Sequence, residues 1–135
     1  MNINNSLKIK IYYEDTDAGG VVYYANYLKF MERSRTEYLA DRKIDVSAYH
    51  NKGFIFAVVD AEIHYKHPAK LGDIVEITTD IIETTKVTLK IRHHIKKNET
   101  TLVESVIRLA CINPEGKPQK IPEEIIKAIT VPAIK

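Results

Sequence analysis

The hydrophobic positions of this chain follow a helical period in its first part and a strand period afterwards. Residues 6–13 alternate between apolar and polar side chains, which predicts a short, half-buried strand. Residues 26–42 place apolar side chains three and four positions apart and predict one long helix, with Asn26 as its N-cap. The predicted inner face of this helix comprises Tyr27, Leu28, Met31, Ser34, Arg35, Tyr38 and Leu39.

From residue 54 onward the pattern predicts strands separated by short turns. The four predicted strands cover residues 54–67, 74–84, 87–97 and 101–112. Residues 43–53 indicate a connection with room for a short helical turn, and residues 122–129 predict a short C-terminal helix. Consecutive strands joined by short turns pair antiparallel, and one helix can cover one face of such a sheet. We therefore predict an α+β fold in a single domain over residues 1–135.

The composition is that of an ordinary folded protein. Hydrophobic residues make up 44% and charged residues 28% of the 135 positions, which favours one folded domain over a disordered chain. The formal net charge of +2 gives no argument for nucleic acid, and no apolar run reaches the length of a signal peptide or a membrane span. The lone Cys111 lies in an apolar run, so we expect a buried thiol and a cytoplasmic location.

An acidic, glycine-containing turn, Glu14 to Gly20, separates the first strand from the long helix. A carboxylate near a helix start meets unpaired backbone N–H groups and the positive end of the helix dipole, and both favour negative charge. Asp15 and Asp17 are therefore candidates for chemistry, although turns and caps also favour aspartate. A metal-binding D-x-D is a third interpretation. No further ligands follow at metal-site spacing, so we expect neither a metal nor another cofactor.

Two segments carry patterns that are more specific than a turn or a strand. Residues 13–24 read YEDTDAGGVVYY, and Asn26-Tyr27-Leu28, Glu32-Arg33, Arg35 and Leu39 follow them. Residues 65–73 read YKHPAKLGD. Together these residues resemble the YbgC-type acyl-CoA thioesterases, which belong to the 4-hydroxybenzoyl-CoA thioesterase class of hotdog-fold enzymes.

This resemblance implies the hotdog fold, in which a five-stranded antiparallel sheet wraps around one long helix. It also implies a homo-oligomer, either a dimer or a homotetramer, whose subunits share a continuous sheet and form active sites at their interface. The implied activity is hydrolysis of an acyl-CoA thioester to a free acid and CoA, within lipid metabolism, with the acyl group in a pocket beside the helix. Acyl carrier protein is a further partner to consider, and no nucleic acid partner is expected.

The resemblance also gives roles to individual residues. Asp17 matches the catalytic carboxylate, which acts as a nucleophile or a general base. A backbone N–H near Tyr24 matches the group that polarises the thioester carbonyl, as an oxyanion site. Tyr13 and Val22 fall at pocket positions near this site. Relatives often carry His at the position of Tyr24.

Three further residues are candidate contacts to coenzyme A. Lys86 and Thr88 match positions at which family members contact the nucleotide, usually from a neighbouring subunit. Val87 stands between them where the family often has Gly. Alternating cations such as those of residues 86–97 are otherwise typical of the solvated face of a strand. His67 precedes Pro68 and is the histidine that we expect at the nucleotide.

Hydrolysis of a thioester needs little catalytic machinery. The thiolate leaves readily, so one ionised carboxylate and one oxyanion-stabilising N–H are sufficient. The sequence holds no G-x-S-x-G, H-E-x-x-H, C-x-x-C or G-x-G-x-x-G motif, which argues against serine hydrolases, zinc peptidases, redox motifs and Rossmann cofactors. The open alternatives are a non-catalytic module that binds acyl-CoA or acyl carrier protein, and a nucleic-acid-binding β-domain that uses the basic residues 86–97.

Overall fold

The computed structural model describes residues 5–130, whose strands form one antiparallel sheet. The strands are β1 (Ser6–Lys10), β2 (Ile55–Tyr65), β3 (Ile74–Thr84), β4 (Thr88–Lys97) and β5 (Thr100–Ile112). Their spatial order is β1-β3-β4-β5-β2, so β1 and β2 are the two edges. Every neighbouring pair is antiparallel, which confirms the predicted five-stranded antiparallel sheet.

Three α-helices accompany the sheet within the described residues: α1 (Asn26–Asp41), α2 (Val46–Asn51) and α3 (Glu123–Thr130). The predicted long helix and C-terminal helix are thereby confirmed as α1 and α3. α2 forms in the predicted connection because the Asp45 carboxylate accepts hydrogen bonds from the backbone N–H groups of Ser47 and Ala48. No helix in residues 5–130 has the length and apolar character needed to cross a membrane.

The core lies between α1 and the inner face of the sheet. Four alternate residues of β4 that were predicted to share one face are each at most 2% exposed, namely Leu89, Ile91, His93 and Ile95. Phe30 and Met31 of α1 are buried against this face, and Ser105 Oγ of β5 donates a hydrogen bond to Met31 Sδ at 3.3 Å. Cys111 is fully buried, as predicted. One long helix therefore covers one face of the sheet.

The inner face of α1 is rotated relative to the prediction. Leu28, predicted to face inward, is 42% exposed, whereas Phe30 is 1% exposed. Residues 27, 30, 31, 34 and 38 form the buried stripe at helical spacing. Leu28 lies beside that stripe, since one residue step turns an α-helix by about 100°.

The start of α1 also differs from the prediction. Ala25 is the N-cap and makes no side-chain capping hydrogen bond. Asn26, the predicted N-cap, donates a hydrogen bond from Nδ2 to the carbonyl oxygen of Asp15 at 2.9 Å. The prediction is wrong because a contact to the acidic turn takes the side chain that a local cap would use.

The edge strand β2 carries apolar side chains that face solvent. Val58 and Val59 are 53% and 57% exposed, and β2 pairs with β5 alone within residues 5–130. The register of that pairing shifts between Val58 and Asp60. An apolar edge of this kind presents unpaired backbone N–H and C=O groups to a further strand.

Polar side chains form a short network in the core under α1. Ser34 Oγ donates a hydrogen bond to the Ile77 carbonyl oxygen at 3.3 Å. Because that bond uses its one proton, Ser34 Oγ accepts the 2.7 Å hydrogen bond from Thr79 Oγ1. Both hydroxyl-bearing residues are buried. These bonds tie the middle of α1 to β3, and they satisfy polar groups that water does not reach.

His93 of β4 continues this network. Its Nδ1 lies 3.1 Å from the Thr78 carbonyl oxygen and 3.3 Å from Thr79 Oγ1, and its Nε2 lies 3.4 Å from Arg35 Nη1. Because a guanidinium can only donate, Nε2 accepts and Nδ1 carries the proton. Burial, with the adjacent charge of Arg35, lowers the pKa of His93 from 6.5 to about 4. His93 is therefore a neutral imidazole at physiological pH.

We expect protonation of His93 to destabilise the fold. Its pKa is lower in the folded than in the unfolded protein, so its stabilising contribution is complete above pH 6.5 and is lost as the pH falls towards 4. The loss should be about 3 kcal/mol, measured by urea unfolding across this range. His93→Gln should flatten the pH dependence, and the partly exposed His94→Gln should keep the wild-type slope. Equal slopes for wild type and His93→Gln would contradict this account.

Candidate active site

The acidic turn is a closed loop between β1 and α1. Thr16 pairs with Val22 in an isolated antiparallel bridge. Inside that bridge, the Asp17 N–H donates to the Val21 carbonyl oxygen at 2.9 Å, and the Gly20 N–H donates to the Asp17 carbonyl oxygen at 3.0 Å. Gly20 has a φ of 82°, which glycine adopts without steric cost. These bonds hold Asp17 at the first position of a tight turn.

Asp15 uses its polar atoms to build the loop. Its Oδ2 accepts a hydrogen bond from the Tyr12 N–H at 2.9 Å. Its carbonyl oxygen accepts from the Tyr23 N–H at 2.9 Å and from Asn26 Nδ2 at 2.9 Å. The residue thus joins the beginning of the loop to the beginning of α1, which gives it a structural role.

Asp17 is exposed, and its carboxylate is only partly used within the chain. Oδ1 accepts a hydrogen bond from the Gly19 N–H at 2.8 Å, and Oδ2 accepts none from residues 5–130. A β-carbon at position 19 would lie 3.4 Å from Asp17 Oδ1, which is van der Waals contact with the bonded oxygen. One carboxylate oxygen is therefore free to meet a reactant.

The backbone enters α1 through Tyr23 and Tyr24. The Tyr23 N–H is taken by Asp15, whereas the Tyr24 N–H donates to no acceptor in the part of the chain that the structure describes. Tyr24 directly precedes the N-cap Ala25, at the positive end of the α1 dipole. A free N–H in this position is a suitable donor to a developing oxyanion.

Tyrosine rings surround the start of α1. The ring of Tyr65 lies 6.3 Å from that of Tyr24 and 5.7 Å from that of Tyr27. The Tyr65 hydroxyl donates to the Tyr24 carbonyl oxygen at 3.4 Å. Burial raises the pKa of both Tyr27 and Tyr65, so these hydroxyls stay protonated at neutral pH. A pocket at this place is lined by Val22, Tyr24, Tyr27, Tyr65, Lys66, His67 and Pro68.

This tyrosine pocket brings together some of the predicted site residues. Val22, Tyr24 and His67 line it. Tyr13 does not: it is 81% exposed at the beginning of the loop. Of the predicted pocket residues, Val22 and Tyr24 therefore line the pocket, whereas Tyr13 lies on the outside of the acidic turn.

Tyr27, Tyr65 and Lys66 line the pocket as well, although none of them was predicted as a site residue. The Val22 N–H donates to the Ala69 carbonyl oxygen at 2.9 Å, which joins the loop to the connection between β2 and β3. The two segments that carry the family resemblance are thus neighbours in space. Their joint occurrence in the sequence is the signal that could have identified the pocket.

The predicted coenzyme A contacts Lys86 and Thr88 lie far from Asp17 in the same chain. The loop of Asp17 adjoins the beginning of β3, and Lys86 follows the end of that strand, ten residue steps or about 33 Å away. The Thr88 hydroxyl lies 2.6 Å from the Thr85 hydroxyl. Lys86 lines a surface pocket with Lys120, a second cation that the sequence did not mark as a site residue. One chain alone therefore does not bring these groups together with the carboxylate.

A second cavity lies between the middle of α1 and the sheet. Apolar side chains form most of its wall, with Glu32, Arg35 and Thr36 on the helix side. The apolar lining residues include Leu39, Val46, Phe56, Ile81, Leu89, Ile91 and Leu109. Glu32, one of the residues that carry the family resemblance, lines this cavity and is exposed. This α1 cavity is a candidate for the acyl pocket predicted beside the helix.

The architecture and the loop together define a class of protein. A long helix covers one face of a five-stranded antiparallel sheet, and a turn with a free carboxylate leads into that helix. No group of three or more His, Cys, Asp or Glu side chains within residues 5–130 is placed to hold a metal ion. The helix-covered sheet and the carboxylate turn before the helix are the combination expected of a hotdog-fold thioesterase.

Comparison with known proteins gives the family. The sequence model of the thioesterase-like superfamily matches residues 12–129. The acyl-CoA thioester hydrolase YbgC of Escherichia coli is 38% identical over 120 residues, which are 87% of this chain and 90% of that protein. The acyl-CoA thioesterase YbgC of Haemophilus influenzae is 35% identical over 122 residues, with coverage of 89% and 90%.

A solved structure agrees with this assignment. The crystal structure of a probable thioesterase from Bartonella henselae has a TM-score of 0.80 and 33% identity to this chain, with coverage of 90% here and 100% there. The chain therefore belongs to the YbgC family of the thioesterase-like superfamily and has the hotdog fold.

The hydroxyl of Tyr27 should matter for stability, because it accepts a hydrogen bond from the buried Ala69 N–H at 3.0 Å. Tyr27→Phe leaves that N–H unpaired and should lower the free energy of unfolding by about 1–3 kcal/mol in urea titrations. Tyr65→Phe is the matched control, since Tyr65 is 48% exposed and its hydroxyl makes a long bond. Equal losses in the two variants would contradict the assignment.

Proposed function

We propose that this protein hydrolyses an acyl-CoA thioester to a free acid and CoA. The observation that carries the proposal is a pair of free groups in the loop that leads into α1: one oxygen of the Asp17 carboxylate and the N–H of Tyr24. The relatives from Escherichia coli and Haemophilus influenzae are an acyl-CoA thioester hydrolase and an acyl-CoA thioesterase. Asp17 is the proposed catalytic carboxylate, and the Tyr24 N–H is the proposed oxyanion donor.

Asp17 can act in either of two routes. As a nucleophile, it forms a C–O bond to the thioester carbonyl carbon while the C–S bond breaks. CoA leaves as the thiolate, and water then hydrolyses the mixed anhydride. As a general base, Asp17 accepts a proton from a water molecule whose oxygen attacks the same carbon. Both routes place negative charge on the carbonyl oxygen, where the Tyr24 N–H and the α1 dipole stabilise it.

Asp17→Asn tests this assignment directly. The amide is neither a competent nucleophile nor a base, so kcat/KM for acyl-CoA hydrolysis should fall by about 10²–10⁴-fold. Asp15→Asn is the matched control. An asparagine oxygen can still accept from the Tyr12 N–H, so this variant should keep most of the activity. The measurement is thiol release from a panel of acyl-CoA substrates.

Two outcomes of that experiment would count against the proposal. Equal kcat/KM for wild type and Asp17→Asn would remove Asp17 from the chemistry. A wild-type protein that binds acyl-CoA tightly in calorimetry but releases no thiol across the panel would instead be a non-catalytic binding module.

We further propose that the working unit is a homo-oligomer in which two chains share each site. The support is the position of the candidate groups: Asp17 and Lys86 lie at opposite ends of the sheet. Antiparallel pairing of β2 with β2 of a second copy reverses the ends of the partner's sheet. The partner's β4 then starts at the end where Tyr24 lies, three strand spacings or about 14 Å from β2. The exposed Val58 and Val59 would be covered by the same contact.

Subunit complementation tests the shared site. Asp17→Asn and Lys86→Glu should each be weakly active alone, the second through impaired CoA binding. Co-expression in equal amounts should restore activity to about a quarter of wild type, because half of the dimers are mixed and one of their two sites is intact. The control co-expresses wild type with a chain carrying both substitutions. Both sites of each mixed dimer are then defective, so activity should fall to the quarter that pure wild-type dimers supply, instead of the half expected if each chain held a complete site. Absence of any recovery in mixed oligomers would overturn the proposal that two chains share a site.

A further inference from the structure

The middle of the edge strand β2 is exposed over five consecutive residues, 58–62, whereas residues 55–57 before them are half-buried. β2 has eleven residues, so the exposed positions lie at its centre, and within residues 5–130 it pairs with β5 alone. A two-fold contact along β2 therefore covers these positions best when its axis passes near residue 60, because both copies then pair over almost the whole strand.

A bulge in β2 changes which of its residues face α1. The pairing with β5 shifts register between Val58 and Asp60, so Val59 is an extra residue. Even-numbered residues pair with buried residues of β5 before the bulge, and odd-numbered residues do so after it. The inward-facing residues of β2 are Phe56, Val58, Ala61, Ile63 and Tyr65. The outward-facing residues are Ile55, Ala57, Asp60, Glu62 and His64.

These faces restrict how β2 can pair with β2 of a second copy. Facing residues of an antiparallel pair lie on the same side of the sheet, so inward residues must meet inward residues. One register satisfies this condition and also centres on the exposed stretch. In that register Val58 faces Ala61 and Ala57 faces Glu62, in both directions, and the bulge lies at the two-fold axis.

Other registers either set opposite faces against each other or lose strand pairs. A shift by one residue sets inward against outward side chains along the whole strand. A shift by two residues in one direction sets Asp60 against Ala61, which point to opposite sides of the sheet. In the other direction, the last three residues of β2 are left without a strand partner. The faces and the length of the strand therefore favour the same register.

At the end of this register, Phe54 of the partner subunit faces Tyr65. Phe54 directly precedes β2, is half-buried, and has its ring 6.2 Å from the ring of Tyr49. Its inward direction follows from the alternation with Phe56, and it packs against the core. Facing residues of an antiparallel pair have β-carbons about 4.5–5.5 Å apart, so this register brings the partner's Phe54 into contact with the ring of Tyr65.

The tyrosine pocket is open on this side. Its walls come from the loop before α1, from α1 and from residues 65–68. None of these walls lies beyond the free edge of β2, where the described part of one chain has no strand. Tyr24 and Tyr65 are 62% and 48% exposed although both line the pocket. An aromatic ring placed beyond that edge covers apolar surface without adding an unpaired polar group.

We propose that Phe54 of the partner subunit forms the missing wall of each tyrosine pocket, with β2 of the two copies paired so that Ala57 faces Glu62. The ring binds the apolar part of the substrate next to the thioester, and it takes no part in breaking the thioester bond. This inference rests on the proposed thioesterase function and on the shared site, and it names the residue by which one copy shapes the pocket of the other.

Disulfide trapping tests the register without any requirement for activity. Ala57→Cys with Glu62→Cys places cysteines at facing positions, about 5 Å apart between α-carbons, so mild oxidation should link most of the protein as a dimer on a non-reducing gel. The matched controls combine Ala57→Cys with His64→Cys or with Asp60→Cys. Each control is two residues out of register, at about 7–8 Å, and should link several-fold more slowly. Cys111 is fully buried and should not contribute.

Phe54→Ala tests the wall itself. KM for the acyl-CoA panel should rise by about tenfold while kcat stays near the wild-type value, because the ring acts in binding alone. Tyr49→Leu is the matched control. It removes the ring that Phe54 meets within its own chain and leaves the pocket of the partner unchanged, so it should keep the wild-type KM.

Co-expression shows which chain the ring serves. Asp17→Asn and Phe54→Ala are produced in equal amounts and assayed well below KM. If Phe54 serves the partner, half of the dimers hold one intact site, and activity should be about a quarter of wild type. If Phe54 serves its own chain, no site is intact, and activity should be only about a twentieth of wild type.

Three results would overturn the proposal. The first is a monomeric protein, or a control cysteine pair that links as fast as Ala57→Cys with Glu62→Cys. The second is a wild-type KM in a folded Phe54→Ala, or in Phe54→Leu if the alanine variant does not fold. The third is recovery of only about a twentieth of the activity in the co-expression experiment.

Calorimetry separates this inference from the proposed function. If wild type hydrolyses no acyl-CoA, the thioesterase proposal fails, whereas the disulfides still report the register and octanoyl-CoA serves as a binding probe. Tighter binding of octanoyl-CoA by wild type and Tyr49→Leu than by Phe54→Ala would still support the partner's Phe54 as a pocket wall. Equal binding by all three proteins would overturn it.

Discussion

The hydrogen bonds of Asp15 hold the site together. Its carboxylate closes the first turn of the acidic loop, and its carbonyl oxygen binds both the Tyr23 N–H and the Asn26 side chain. The loop and the start of α1 are therefore one unit. Because Asp15 makes these contacts, an oxygen of Asp17 and the N–H of Tyr24 do not have to be used for structure. Free groups held by a rigid support distinguish this loop from an ordinary acidic turn.

Two features of the sheet are not explained by a single chain. The edge strand β2 exposes valines, and the cations expected at the nucleotide lie at the opposite end of β3 from the carboxylate. A single two-fold contact along β2 addresses both, because it covers the apolar edge and reverses the ends of the partner's sheet. If Asp17 and Lys86 act on the same acyl-CoA molecule, as we propose, the site is complete only in an assembly of this kind.

The sequence predicted the elements well where one face of the sheet is buried, since a period of two is visible only there. Prediction from the sequence failed where a contact between distant residues determines the position of a side chain. Asn26 bonds to the acidic turn instead of capping α1, and Leu28 lies outside the stripe that packs on the sheet. The motif predicted Asp17 and the start of α1 as site positions. It did not predict the tyrosine pocket, which forms because the acidic loop pairs with the connection between β2 and β3. Nor does a linear motif show that Lys86 is at the far end of a strand.

The loop that leads into α1 leaves two groups of opposite polarity unused. One oxygen of the Asp17 carboxylate accepts no hydrogen bond from residues 5–130, and the Tyr24 N–H donates to no acceptor there. A carboxylate can attack a thioester carbonyl carbon or activate a water that does so, and an N–H donor can stabilise the negative charge that then develops on the carbonyl oxygen. The two groups therefore complement the two ends of one carbonyl bond, which is why the proposed chemistry is assigned to this loop and not to the cations of β4.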